Sequence, residues 1–146
     1  MITLPLSYDY IDDSRILLAD AWGRLALLSL SRGNSGMGEL RCVLLGEVSL
    51  PYKTLGPYST TPTNVQVSSP TTIVYLNNGI LYIGSHYGDC QLVRLLPAPL
   101  PGPDGKLSHV QILDVYKNVA PISDALITES EGSTQARIIV LCPLKI

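Results

Sequence analysis

His86 is the natural place to look for chemistry, because it stands in Ser85-His86-Tyr87-Gly88-Asp89, where a hydroxyl, an imidazole and a carboxylate share one short stretch. These are the groups of a nucleophile–base–orienter relay. Such a relay needs members converging from separate elements, and one turn cannot orient all three. His86, His109 and Cys90 have none of the spacings of a metal centre. Asp9, Asp12 and Asp13 form an acidic cluster expected to solvate a turn ahead of Ile16. The Ala21-Trp22-Gly23 and His86-Tyr87-Gly88 turns lack the further glycines and the following helix of a phosphate cradle. The residues therefore predict no enzyme, no catalytic group, no cofactor and no metal. What remains is recognition. Trp22 and Tyr87 fall at two loop tips, where a ring cannot bury itself in its own hairpin, and such aromatics are enriched at interface centres.

The elements that hold these tips are announced by a repeat. Arg15–Leu30 and Ile80–Leu95 lie over each other without a gap at an offset of 65. Ile16 falls on Leu81, Leu18 on Ile83, Ala19 on Gly84, Gly23 on Gly88, Leu27 on Leu92 and Leu30 on Leu95. Each copy is an apolar run, an aromatic followed by Gly, and a second apolar run, the pattern of a hairpin whose Gly supplies a positive φ. Self-similarity at such a period marks stacked or radial arrays.

The spacing predicts strands at Ile16–Asp20, Leu25–Leu30, Leu40–Val48, Thr72–Leu76, Ile80–Ser85, Gln91–Leu96, Ser108–Val115, Ile122–Thr128 and Arg137–Leu141. No window of helical length carries an apolar face uninterrupted by Gly or Pro. Two breakers interrupt the strands. Residues 50–69, rich in Pro, Ser and Thr, read as a disordered insertion, and residues 97–105 read as a Pro-rich loop. Four consecutive strands from Thr72 make an antiparallel meander, the unit of a propeller blade. Three strands precede it and two follow. The fold class is all-β: an incomplete β-propeller of about two four-stranded meanders, with residues 1–146 a fragment of one propeller domain.

Composition sets limits. The net charge is −2 and no basic block exists, which disfavours electrostatic nucleic-acid binding. The longest apolar runs are strand-sized, so no membrane partner is expected. Cys42, Cys90 and Cys142 show no CxxC and read as three buried free thiols in a reducing compartment.

The stretches SRILLADAWGRLALLSL, LRCVLLGEVS, VYLNNGILYIGSHYGDCQLVRL and NVAPISD, with ARIIVLC less distinctly, run nearly the full length in order. They resemble the large, propeller-rich subunit of the UV-damaged DNA-binding complex, the cullin-4 ubiquitin-ligase linker family, in the later part of its first propeller. The family shares architecture with polyadenylation and splicing factor subunits; GSxxGDxQLV with LLGEV and YLNNG favours the ligase linker. The resemblance implies a non-enzymatic scaffold in a cullin-RING ligase tied to DNA damage recognition. It implies substrate-receptor proteins as partners, indirect association with damaged DNA, and residence in the nucleus and cytoplasm. The alternative is a nucleic-acid-binding propeller subunit like the polyadenylation and splicing relatives. In the family, the positions of His86-Tyr87 and Pro121-Ile122 lie on the propeller face that receives receptor segments. These four residues are the partner-binding expectation; His86 replaces a basic residue and Ser123, beside them, an apolar one. The family passes from LLGE to YLxNG in a few residues, so 50–69 is expected to be either a lineage-specific insertion or a splice-boundary error. Because units are cut at both ends, the chain is expected to be a fragment of a longer propeller.

Overall fold

In the computed structural model the described residues are 4–33, 36–47, 70–86, 88–101, 105–129 and 136–143. They form ten strands: β1 (Pro5–Asp12), β2 (Arg15–Asp20), β3 (Arg24–Arg32), β4 (Gly38–Glu47), β5 (Pro70–Asn77), β6 (Ile80–Ser85), β7 (Cys90–Pro101), β8 (Leu107–Tyr116), β9 (Asp124–Glu129) and β10 (Ala136–Leu141). Within each sheet every strand pairs antiparallel with its sequence neighbour, giving sheets β1-β2-β3-β4 and β5-β6-β7-β8 and a two-stranded sheet β9-β10. This is the all-β, incomplete propeller the sequence predicts.

The first meander is complete, which corrects the expectation of three strands ahead of residue 50. Alternation builds the added strand β1: Leu6, Tyr8 and Tyr10 point to one face and Ser7, Asp9 and Ile11 to the other. The acidic cluster is split accordingly. Asp12 does close a turn, accepting hydrogen bonds from the Ser14 backbone N–H and hydroxyl, both at 2.9 Å. Asp9 instead crosses to the next sheet, where its Oδ2 accepts the Tyr75 N–H at 2.6 Å.

The repeat governs more than the hairpins. Ser7 pairs with Ala19 and Leu17 with Leu27; at an offset of 65, Thr72 pairs with Gly84 and Tyr82 with Leu92. Even the irregularities correspond, between Pro5 and Ser7 as between Pro70 and Thr72, and between Tyr10 and Asp12 as between Tyr75 and Asn77. Tight turns make this register reproducible. Gly23 has φ 74°, as its hairpin requires, and Asn77, Asn78 and Gly79 take φ of 103°, 51° and 75° between β5 and β6.

Period-two alternation then decides the packing. Leu17, Ala19, Leu25 and Leu45 of the first sheet meet Ile73, Leu81, Ile83 and Val93 of the second. On the other face of the second sheet, Val74, Tyr82 and Cys90 pack with Ile122 and with Ala125, Ile127 and Ile138. The second sheet is therefore covered on both sides, and each fully buried Leu or Ile contributes about 1.5–3 kcal/mol. The end sheets are covered on one side only. Tyr8, Leu30, Leu40 and Leu44 on the first, and Leu126 and Ile139 on the last, are exposed.

Two further expectations are corrected. β7 continues through Pro97–Pro101, which was expected to be loop; its pairing with β8 is irregular between Leu95 and Leu100, so prolines without an N–H are accommodated there. Only Cys90 of the three thiols is buried; Cys42 and Cys142 are exposed, Cys42 because it follows the register of Leu28 onto β4 at an end sheet. The expected insertion at 50–69 lies outside the described residues.

Candidate functional site

Antiparallel order brings two connections to one end of the second sheet. β6 finishes at Ser85, and Cys90 at the start of β7 pairs with Tyr116 at the end of β8. The β6–β7 turn and the β8–β9 connection, residues 117–123, are thus neighbours, as the sequence expectation for His86 and Pro121 requires. They are bonded to each other. The Asn118 backbone N–H donates to Asp89 Oδ1 at 2.9 Å, and its side-chain Nδ2 donates to the carbonyls of Ser85 at 2.7 Å and Gly88 at 3.0 Å. Its Oδ1 accepts the Ala120 N–H at 3.2 Å. The Ile122 N–H also donates to the Ser85 carbonyl, at 3.2 Å. Beyond it, the Ser123 N–H and hydroxyl donate to the Leu141 carbonyl, at 2.9 and 3.1 Å, tying the connection to β10.

These bonds shape an open depression of about 230 Å³ lined by His86, Gly88, Asp89, Asn118, Val119 and Pro121, with Ala120. Val119 stands on its edge 95% exposed, and Pro121 is exposed beside it. Ile122, expected on the rim, is only 4% exposed and packs against Val74, Tyr82 and Cys90. It is an anchor under the rim: its N–H turns to Ser85 and its side chain into the core. Beneath it, burial and the neighbouring Cys90 thiol push the Tyr82 hydroxyl well above the usual phenol range. Tyr87 lies outside the described residues.

The same geometry bears on the relay considered at the outset. Ser85 is fully buried and its hydroxyl accepts the Gly88 N–H at 3.1 Å, so it is a turn-former with no face toward a substrate. His109 is far along the chain's other hairpin, its Nδ1 within 3.0 Å of the Leu96 carbonyl. At the equivalent tip of the first sheet, Asp20 Oδ1 accepts the N–H groups of Trp22 and Arg24 at 2.9 and 3.0 Å. That closes the turn and leaves Trp22 61% exposed, on the same end of its sheet as the depression is of the next. Sequence reasoning missed Asn118 and Val119. The available signal was an Asn followed two residues later by a non-proline residue with an N–H to donate, the setting for an Asx turn.

Comparison with known proteins locates the chain. Residues 3–117 match the family model described as the RSE1/DDB1/CPSF1 first beta-propeller. The chain is 33% identical to DNA damage-binding protein 1a of Arabidopsis thaliana over 129 residues, which is 88% of this chain and 10% of that relative. It is 34% identical to DNA damage-binding protein 1 of Caenorhabditis elegans over 125 residues, 83% of this chain and 9% of the relative. It is 34% identical to DNA damage-binding protein 1 of Solanum lycopersicum over 128 residues, 88% and 10% respectively. The chain spans about a tenth of the length of these relatives. With four-stranded meanders repeated in one register and a match across most of its length, it belongs to the family of RSE1/DDB1/CPSF1 first β-propellers.

Proposed function

We propose that this chain is a non-enzymatic scaffold segment whose loop rim, His86, Tyr87, Val119 and Pro121 above the Ile122 anchor, docks a protein partner. In full, the reading is an adaptor role in DNA damage recognition, nuclear and cytoplasmic, within a cullin-4-type ubiquitin ligase whose substrate-receptor proteins supply the docking segment. The observation that carries the reading is Val119: a fully exposed apolar side chain held at the edge of a depression by a bonded turn. At about 230 Å³ and open, the depression is smaller than the roughly 300–1,000 Å³ of small-molecule pockets and suits a single anchoring side chain. The relatives' names, which place them in DNA damage binding, support the pathway. Direct nucleic-acid binding is not favoured, since Asp89 lies in the depression and the chain's net charge is −2.

The test is a helical-peptide display selection on the 146-residue chain, followed by affinity measurement on rim variants. Val119→Asp and Tyr87→Ala should each weaken the selected peptide, with a loss of roughly 1–3 kcal/mol for a hot-spot residue. Tyr8→Lys, on the uncovered face of the first sheet, should leave it unchanged. Peptides that bind both rim variants as well as wild type, but lose affinity to Tyr8→Lys, would mean that the exposed sheet face is the sticky surface and the rim is not a docking site.

A further inference from the structure

Resting on the docking reading above, we propose that Asn118 is the positioning residue of the rim: its side chain clamps the β6–β7 turn to the β8–β9 connection and so presets Val119 and Pro121 for a partner. An Asn side chain offers one acceptor and two donor hydrogens. Here all are used in different directions. The two donor hydrogens go to the Ser85 and Gly88 carbonyls, and the acceptor takes the Ala120 N–H. The amide orientation follows from this network, because the reversed amide would set an oxygen against two carbonyls. Each bond has a separate job. The Ala120 bond folds an Asx turn that lifts Val119 outward at its apex. The Ser85 and Gly88 bonds fix that turn against the neighbouring tip.

The first sheet shows why a clamp from outside is needed. At the position equivalent to Ser85 it carries Asp20, whose carboxylate reaches the Trp22 and Arg24 N–H groups and closes its own tip. The Ser85 hydroxyl is shorter and bonds the Gly88 N–H. Further anchoring comes from the following connection, through the Asn118 side chain and backbone N–H and the Ile122 N–H. A rim held this way is preorganised, so a partner does not bear the ordering cost of the loop on binding.

Asn118→Asp separates the two functions. The carboxylate keeps the acceptor for Ala120, loses both donors, and sets negative charge against two carbonyls. Asn118→Ala removes all three side-chain bonds and leaves the backbone N–H bond to Asp89. Amide exchange, thermal unfolding and affinity for the display-selected peptide should be measured on both variants in the full chain. In Asn118→Asp the Ala120 amide should keep its protection, while exchange at Gly88 and Ile122 rises and peptide affinity falls, each by about tenfold. The unfolding midpoint should move little, because the clamp lies outside both cores. In Asn118→Ala the Ala120 amide should lose protection as well. Unchanged exchange at Gly88 and Ile122 in both variants would overturn the assignment. Faster exchange with unaltered peptide affinity would uphold the clamp and refute the docking role of the rim.

Discussion

Exchanging one methyl group between β5 and β6 tests whether the two sheets are built to a common packing rule. A Cβ placed on Gly84 would lie 2.7 Å from Thr72 Cγ2 and 3.1 Å from Ile122 Cγ2. Both contacts are with branched methyls in the core, which cannot swing aside. Gly84→Ala should therefore be overpacked by about 1–3 kcal/mol, offset by roughly 0.4–1 kcal/mol from the restricted unfolded chain. Thr72→Ser alone removes a buried methyl and should cost about 1 kcal/mol. The double variant is different, because the methyl lost from residue 72 is the one that obstructs residue 84. The first sheet already holds that arrangement: Ser7 pairs with Ala19 where Thr72 pairs with Gly84. The pair should couple favourably by about 1–2 kcal/mol and return the protein to within about 1 kcal/mol of wild type. Urea denaturation followed by circular dichroism is the assay, since exposed Trp22 is a poor reporter of the core. A double variant as unstable as the two singles added together would refute the packing equivalence.

Two other outcomes follow from surface features. The Arg15 guanidinium, hydrogen-bonded to Asp12 at 2.7 Å, holds the Asp12 carboxyl down at about 2, with the Ser14 N–H and hydroxyl helping. Because the folded-state value is depressed, the pair's contribution is present above the ordinary value of 3.8 and is lost as pH falls through about 2. Carboxyl NMR should show that low midpoint, and Arg15→Gln should raise it toward 3.8; a midpoint near 3.8 in wild type would sink the pairing. The uncovered faces of the first and last sheets should make the chain self-associate with rising concentration. Tyr8→Lys with Leu44→Lys should reduce this in sedimentation, and no change would show that association runs through another surface.

How legible all this was depended on the kind of signal each residue carried. The hairpins around Trp22 and Tyr87 were plain because apolar alternation and Gly coincide there. β1 was hidden by its acids, which look like a solvated turn when Asp9 is grouped with Asp12 and Asp13. Extending the same offset backwards would have found it, since Pro5 falls on Pro70 and Tyr10 on Tyr75, both in strands. Pro97–Pro101 misled because proline argues against central strands, whereas here it sits where the β7–β8 ladder is already irregular. Ile122 misled for another reason. Its neighbours Val119 and Pro121 are exposed, and nothing in the local pattern shows that the Ser85 carbonyl turns the backbone so that Ile122 faces the core. The Asn118 clamp depends on carbonyls some thirty residues away, a relation no local reading contains.

The shared register also shows where the chain absorbs changes in length. Ser29 pairs with Arg41, whereas its counterpart Arg94 pairs with Gln111, so the second outer hairpin is longer by five residues (17 against 12). Those five residues leave the pairing of β5, β6 and β7 in step with β1, β2 and β3. The far end of the third-to-fourth-strand hairpin thus behaves as a hinge of sequence variation, decoupled from the strand segments that make the core and the rim. Epitopes or reporter peptides grafted near Gly105, where the backbone meets open space, would lengthen the molecule without altering how its sheets recognise one another.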